Sequence, residues 1–290
     1  MIRKLILITL FLVLATPLGF GFADASQKKA LEMLKNRLSN VKDRLNAIEE
    51  LKSVQDSQIV TDLINIVRDS EDSIAVRGQI IELLITLSEP ETTTQLKKLL
   101  NDDTLPSEVK RLALYALWKK EPQGTMSDLI RIAQNQKEAT DLRTTALAYL
   151  GQTQGKYPIG FWKNLFLKRE NPVPVRIAAM NGMETLRLLD QEQITFIQVL
   201  QNPNEFVELR KSVILTAGRV LSPSEFQTEM ILIVSKPQNP IEIRRFAIDN
   251  LGVQANEALL PQLKQIAAQE KDSIVLEQLK SLINNITSKN

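Results

Sequence analysis

The stretch Pro240–Gly252, PIEIRRFAIDNLG, is one copy of a unit that returns every 33 or 34 residues. With Arg244 as anchor, the counterparts are Arg44, Arg77, Lys110, Arg143, Arg176, Arg210 and Glu277. A fixed period of this size marks a stack of repeats, each leaning on its neighbours. Other columns keep the same step. Three residues past the anchor stand Ala47, Ile80, Ala113, Ala146, Ala179, Val213 and Ala247, and seven past it Leu51, Leu84, Leu117, Leu150, Met183, Ala217 and Leu251. With the apolar residues just before the anchor and four past it, these fall on one face of a 3.6-residue helix.

A second helix precedes that one. Fourteen residues before the anchor are Ala30, Leu63, Leu96, Leu129, Trp162, Phe196, Met230 and Leu263, and the columns eleven and ten before it are apolar throughout. Each unit is therefore a hairpin of an A helix and a B helix. A lone hairpin cannot bury its apolar faces, whereas stacked ones can. The end copies break the pattern, with Asp43 before the first anchor and Lys280, Ser281 and Asn284 in the apolar columns of the last, which reads as polar capping. Five residues before the anchor stand Ser39, Asp72, Glu138, Asn171, Glu205, Asn239 and Asp272, a column read as turn punctuation; repeat three departs with Leu105. Pro106, Pro174 and Pro240 mark B-helix starts, and Gly151, Gly218 and Gly252, eight past the anchor, are expected as C-terminal caps. The fold expected is all-α: an α-solenoid, or superhelix, of about eight hairpins over residues 26–290.

The units TTTQLKKLLNDDTLPSEVKRLALYALWKK, PVRIAAMNGM and EIRRFAIDNLG resemble short HEAT repeats, of the kind also found in phycobilisome-lyase-type HEAT proteins. Pro261, inside an A segment, is similar to the proline that kinks many HEAT A helices. The ankyrin T-P-L-H signature and the tetratricopeptide W…LG…Y order do not recur. The resemblance implies B helices along a concave side. It also implies an alternative function, a lyase-like enzyme or accessory factor that handles a small ligand.

The chain opens MIRKLILITLFLVLATPLGFGFADASQ. Arg3 and Lys4, an apolar run to about Leu18, and Ala23-Asp24-Ala25 spell a secretory signal cleaved after Ala25. The competing reading is a retained anchor, because residues 5–23 carry no charge. Either way the repeats are expected outside the cytoplasm, periplasmic or secreted, with no stable membrane span after cleavage. The formal net charge is +2, and cleavage removes two bases and one acid to leave +1. Nucleic-acid binding would need clustered excess charge, so it is not expected. The loosest point in the repeats is Gly151–Gly160, GQTQGKYPIG, read as a longer loop rather than a hinge.

There is no histidine and no cysteine. Ser-His-Asp and Cys-His nucleophile systems, and a histidine-ligated zinc site, are thereby excluded. No phosphate loop or calcium loop is present, and no cofactor is expected. The expected function is a non-catalytic scaffold that captures a protein or peptide. All Tyr and Trp lie between residues 115 and 162, and such side chains dominate interface hot spots. Trp162 and Phe166 take inward positions. Arg111, Tyr115, Trp118, Tyr149, Lys211 and Arg245 are the candidate partner-binding residues of a B-helix groove, acidic at its start (Glu49, Glu82) and basic toward its end. Packing between repeats is the competing role for the aromatic residues. The arginine column is expected to bond turn carbonyls and carboxylates of its own and adjacent repeats.

Overall fold

The computed structural model describes residues 25–88, 90–153, 158–189 and 193–288, which form sixteen α-helices and no strand. The leader assigned to residues 1–25 lies outside this range apart from Ala25, the first residue of α1. Among the described residues no helix is long and apolar enough to cross a membrane. The chain divides into two compact units at Gly124–Thr125 rather than within Gly151–Gly160. Residues 151 and 152 of that stretch close α8, Ile159 and Gly160 open α9, and residues 154–157 lie outside the described range.

The first unit holds three hairpins: α1 (Ala25–Lys35) with α2 (Val41–Glu49), α3 (Ser57–Arg68) with α4 (Ile74–Thr86), and α5 (Pro90–Leu100) with α6 (Ser107–Lys120). Its A helices α1, α3 and α5 stack on one another, as do its B helices α2, α4 and α6. The second unit holds five: α7 (Met126–Gln134) with α8 (Thr140–Gln152), α9 (Ile159–Leu167) with α10 (Val173–Thr185), α11 (Gln193–Gln201) with α12 (Val207–Val220), α13 (Pro223–Ser235) with α14 (Ile241–Gln254), and α15 (Leu260–Gln269) with α16 (Ser273–Thr287). Here the B helices α8, α10, α12, α14 and α16 stack in sequence. In both units the repeat columns form the core. Leu63, Leu96, Leu129, Trp162, Met230 and Leu263 are all fully buried at the first A-helix position. Phe166, also buried, stacks on Phe196 with ring centroids 5.3 Å apart.

Three expectations need correction. Gly151, Gly218 and Gly252 cap nothing: each lies inside its B helix, and no described glycine has positive φ. These three B helices run two or three residues past the last apolar column. Pro261 does not interrupt a helix either, because it stands in the first turn of α15, just after a 3-10 turn at Glu257–Leu259. Finally, the last repeat is out of register by one. In every other B helix the anchor lies four residues past the N-cap, but α16 is capped by Asp272, so its anchor position is Leu276, not Glu277. The turn before α16 is one residue shorter, and Val275 and Leu279 fill the columns once given to Leu276 and Lys280. Lys280 and Asn284 are exposed, so the end of the stack is still polar.

The arginine column is a buried clamp. Arg44, Arg143, Arg176, Arg210 and Arg244 are all 3% exposed or less. Each donates from Nε to the carbonyl ten residues back at the end of its A helix: Leu34, Ala133, Phe166, Leu200 and Val234. The outer nitrogens then reach into the next repeat. Arg44 donates twice to Asp72 (2.6 and 2.7 Å) and Arg176 twice to Glu205 (2.8 and 2.7 Å), while Arg244 pairs with Glu270. Arg143 and Arg210 meet amides instead, Asn171 at 2.7 Å and Asn239 at 3.0 Å. Four residues of the turn column, Asp72, Asn171, Glu205 and Asn239, thus close their turns and also accept from an arginine. Where repeat three has Leu105, Arg77 bonds Glu108 instead, and its Nη1 finds no hydrogen-bond partner among the described residues.

Burial pushes the carboxyls of Asp72, Glu205 and Glu270 up, but the arginine bonds, backbone N–H donors and guanidinium charge outweigh it and hold all three below the usual range. Burial alone lowers Arg143, and it takes Arg210 down to about 10, with the charge of Glu205 opposing; both remain protonated at neutral pH. A depressed carboxyl pKa stabilises the fold fully above its unfolded value, about 4, and the contribution vanishes as pH falls through the folded value. Urea midpoints are therefore expected to hold from pH 7 to 5 and to fall steeply toward pH 3. In the triple variant D72N/E205Q/E270Q, whose clamps imitate Arg143–Asn171, that fall flattens. An undiminished acid slope in the variant would assign the effect to other groups.

Candidate functional site

The sequence-derived site residues divide between the units. In the first, Arg111, Tyr115 and Trp118 occupy successive positions on the side of α6 turned away from its buried face of Val109, Ala113, Leu114 and Leu117. Tyr115 and Trp118 are half-buried and Arg111 is exposed. The Tyr115 hydroxyl donates to Glu82 Oε1 of the preceding B helix at 3.0 Å. Lys119 Nζ lies 5.0 Å from the Trp118 ring centroid and 5.9 Å from that of Tyr115, within cation–π range of both. Both packing and presentation are realised here: the rings brace the face, and part of each reaches solvent. Lys119 was absent from the sequence-derived groove, and Glu82 entered it only as part of an acidic start. Their signal was available, since Glu82 stands one period before Tyr115 and Lys119 four residues after it.

In the second unit Tyr149 is half-buried on α8, and Lys211 and Arg245 lie on the B-helix face of α12 and α14. Lys211 pairs with Glu242 and lies 5.5 Å from the Phe246 ring centroid. Arg245 Nε donates to Gln278 Oε1 at 3.2 Å, and the Gln278 amide donates to Asp249. Arg219 makes a two-pronged contact with Glu184 at 2.6 and 2.8 Å, a hydrogen bond that raises its pKa. The basic end anticipated from sequence is therefore strapped locally by acids and amides of adjacent repeats. Among the described residues no group of three or more acidic side chains is arranged to hold a metal ion.

Stacked helical hairpins clamped by a buried arginine define the class: an α-helical repeat scaffold. Residues 28–118 match the family model of HEAT repeats, and the same sequence columns continue through the second unit. No curated protein matches the sequence. Among solved structures, human deoxyhypusine hydroxylase in complex with glycerol is 14% identical, with 89% of this chain and 96% of that one covered, at a TM-score of 0.35. The complex of CpcE and CpcF of phycocyanin lyase from Nostoc sp. PCC7120 is 16% identical, covering 94% of this chain and 98% of that one, at a TM-score of 0.35.

Proposed function

We propose that this chain is an exported, non-catalytic scaffold that captures a protein or peptide on its B-helix face. The observation that carries the reading is the Tyr115–Trp118–Lys119 cluster on α6. Two large, stiff aromatic side chains stand half-exposed beside cations on a rigid helix, which is the composition of an interaction hot spot. Export rests on the charge-free run of residues 5–23 behind Arg3 and Lys4. The absence of histidine and cysteine removes the commonest nucleophile and base systems and supports a role in binding.

The test is capture from the exported fraction by crosslinking, with wild type against Tyr115→Ala/Trp118→Ala. Loss of two hot-spot residues typically weakens binding by about 2 kcal/mol or more, roughly thirtyfold. The double variant is expected to keep its helical circular dichroism and lose the crosslinked partner. Undiminished capture by a folded double variant would remove the aromatic cluster from the site.

A further inference from the structure

Two clefts in the second unit recur at the same repeat positions, three repeats apart. One, of about 210 Å³, lies between α8 and α10, and the other, of about 420 Å³, between α14 and α16. Counted from each anchor, positions 4, 5, 8 and 9 form the first wall: Leu147, Ala148, Gly151 and Gln152 in one, Ile248, Asp249, Gly252 and Val253 in the other. The opposite wall comes from positions 2, 5, 6 and 9 of the next B helix, where Asn181 and Gly182 match Ser281 and Leu282.

Folding does not demand glycine at position 8 of either cleft. A Cβ on Gly151 would meet its nearest neighbour, Gly182 Cα, at 3.4 Å, and one on Gly252 would meet Leu282 Cδ1 at 3.5 Å, both ordinary contacts. Glycine within a helix nevertheless weakens it relative to alanine. What these glycines preserve is open space on the B-helix face. The third glycine in the column, Gly218, lies against the Phe226 ring of α13 instead.

The chemistry of the clefts selects the occupant. The smaller cleft is mainly apolar and the larger about equally apolar and polar; both have aliphatic residues at the floor and amides and hydroxyls at the rim, such as Gln152, Asn181 and Thr185 in one and Gln278, Ser281 and Asn285 in the other. Asp249 is the one charged lining residue, and it already accepts from Gln278. A charged side chain entering the first cleft would lose water without gaining a counter-ion, and so would an acidic one entering the second, whereas an aliphatic one gains by burial. Amide rims both donate and accept, as a peptide main chain requires. Leu215 (48% exposed) and Val253 (84% exposed) add apolar surface to the same face. Stacked helices sit 8–10 Å apart, so three repeats span roughly 30 Å, a distance covered by about nine residues of extended chain.

We propose that the two clefts receive two uncharged, apolar side chains, about nine residues apart, of one extended peptide. This inference rests on the B-helix face being the binding face. The test is selection of a displayed library of random linear 20-residue peptides on the purified protein. Enriched peptides are expected to share paired aliphatic positions eight to ten residues apart. Asn181→Phe and Ser281→Phe change equivalent exposed rim positions, and each should weaken the selected peptides at least tenfold. Gly151→Ala and Gly252→Ala should raise the thermal midpoint by a few degrees, since the helix gains and nothing clashes. Peptides lacking the paired spacing, affinities indifferent to both phenylalanines, or no enrichment at all would overturn the proposal. If partner capture is lost in the Tyr115/Trp118 variant but untouched by both phenylalanines, the clefts fail while the B-face reading stands.

Discussion

Replacing Gly182 with alanine is expected to destabilise the second unit by about 3 kcal/mol, the upper end of what overpacking a core costs. A Cβ there would lie 2.2 Å from Trp162 Cζ3, 2.7 Å from Cη2 and 2.8 Å from Cε3. Trp162 cannot swing aside, being fully buried with Phe161 edge-on to its ring at 5.2 Å. Alanine is the better helix former by about 0.5–1 kcal/mol, so the usual sign of a glycine-to-alanine change in a helix is reversed at this one position. Trp162→Leu alone leaves a cavity and costs about 3 kcal/mol or more. In the Gly182→Ala background it costs less, because the new methyl occupies space the indole has left. A double-mutant cycle in urea should therefore return a coupling above about 1 kcal/mol. Additive costs would mean that α10 shifts away from α9 instead of colliding with the ring.

Gly182 also marks where sequence reading stops. The A and B columns were legible because burial repeats with the period, and residues such as Leu63, Leu114 and Ile248 are buried where expected. Register in the last repeat was not, since one residue removed from a turn moves Val275 and Leu279 into place without changing the helix pattern. The column five before the anchor was legible as turn punctuation, but the second role of Asp72, Asn171, Glu205 and Asn239 as arginine acceptors was not. Glutamate is a poor turn residue, so Glu205 in a column with Asn171 and Asn239 was the clue to a shared partner. On the B face, aromatic residues were easy to find, whereas the pairing of Lys211 with Glu242 and of Arg219 with Glu184 depends on which side chains meet across a seam. The clefts were hidden more deeply: a glycine eight past the anchor looks like a cap until the helix is seen to continue through it.

Arginine 176 offers the largest single loss. Arg176→Met leaves the Glu205 carboxylate 7% exposed with a single remaining hydrogen bond, from the Phe206 N–H at 3.0 Å, beside the charges of Arg169 and Arg210. Removing one partner of a buried ion pair typically costs about 3–5 kcal/mol, because the orphaned charge has been stripped of water. The attraction in the pair is a separate matter. Taking the carboxylate away as well, in Arg176→Met/Glu205→Leu, replaces two desolvated charges with aliphatic packing and should return stability to within about 1–2 kcal/mol of the parent. Arg210→Met makes the control. Its partner Asn239 is neutral and keeps its own bond to the Ile233 carbonyl at 2.9 Å, so the acceptors that lose a donor, the Asn239 amide oxygen and the Leu200 carbonyl, are both uncharged. That loss is expected at about 1–3 kcal/mol, smaller than at Arg176, and less dependent on pH. Equal losses at the two positions, or a double variant as unstable as Arg176→Met alone, would mean that the clamp stabilises through its packed stem and its bond to the A-helix carbonyl rather than through charge.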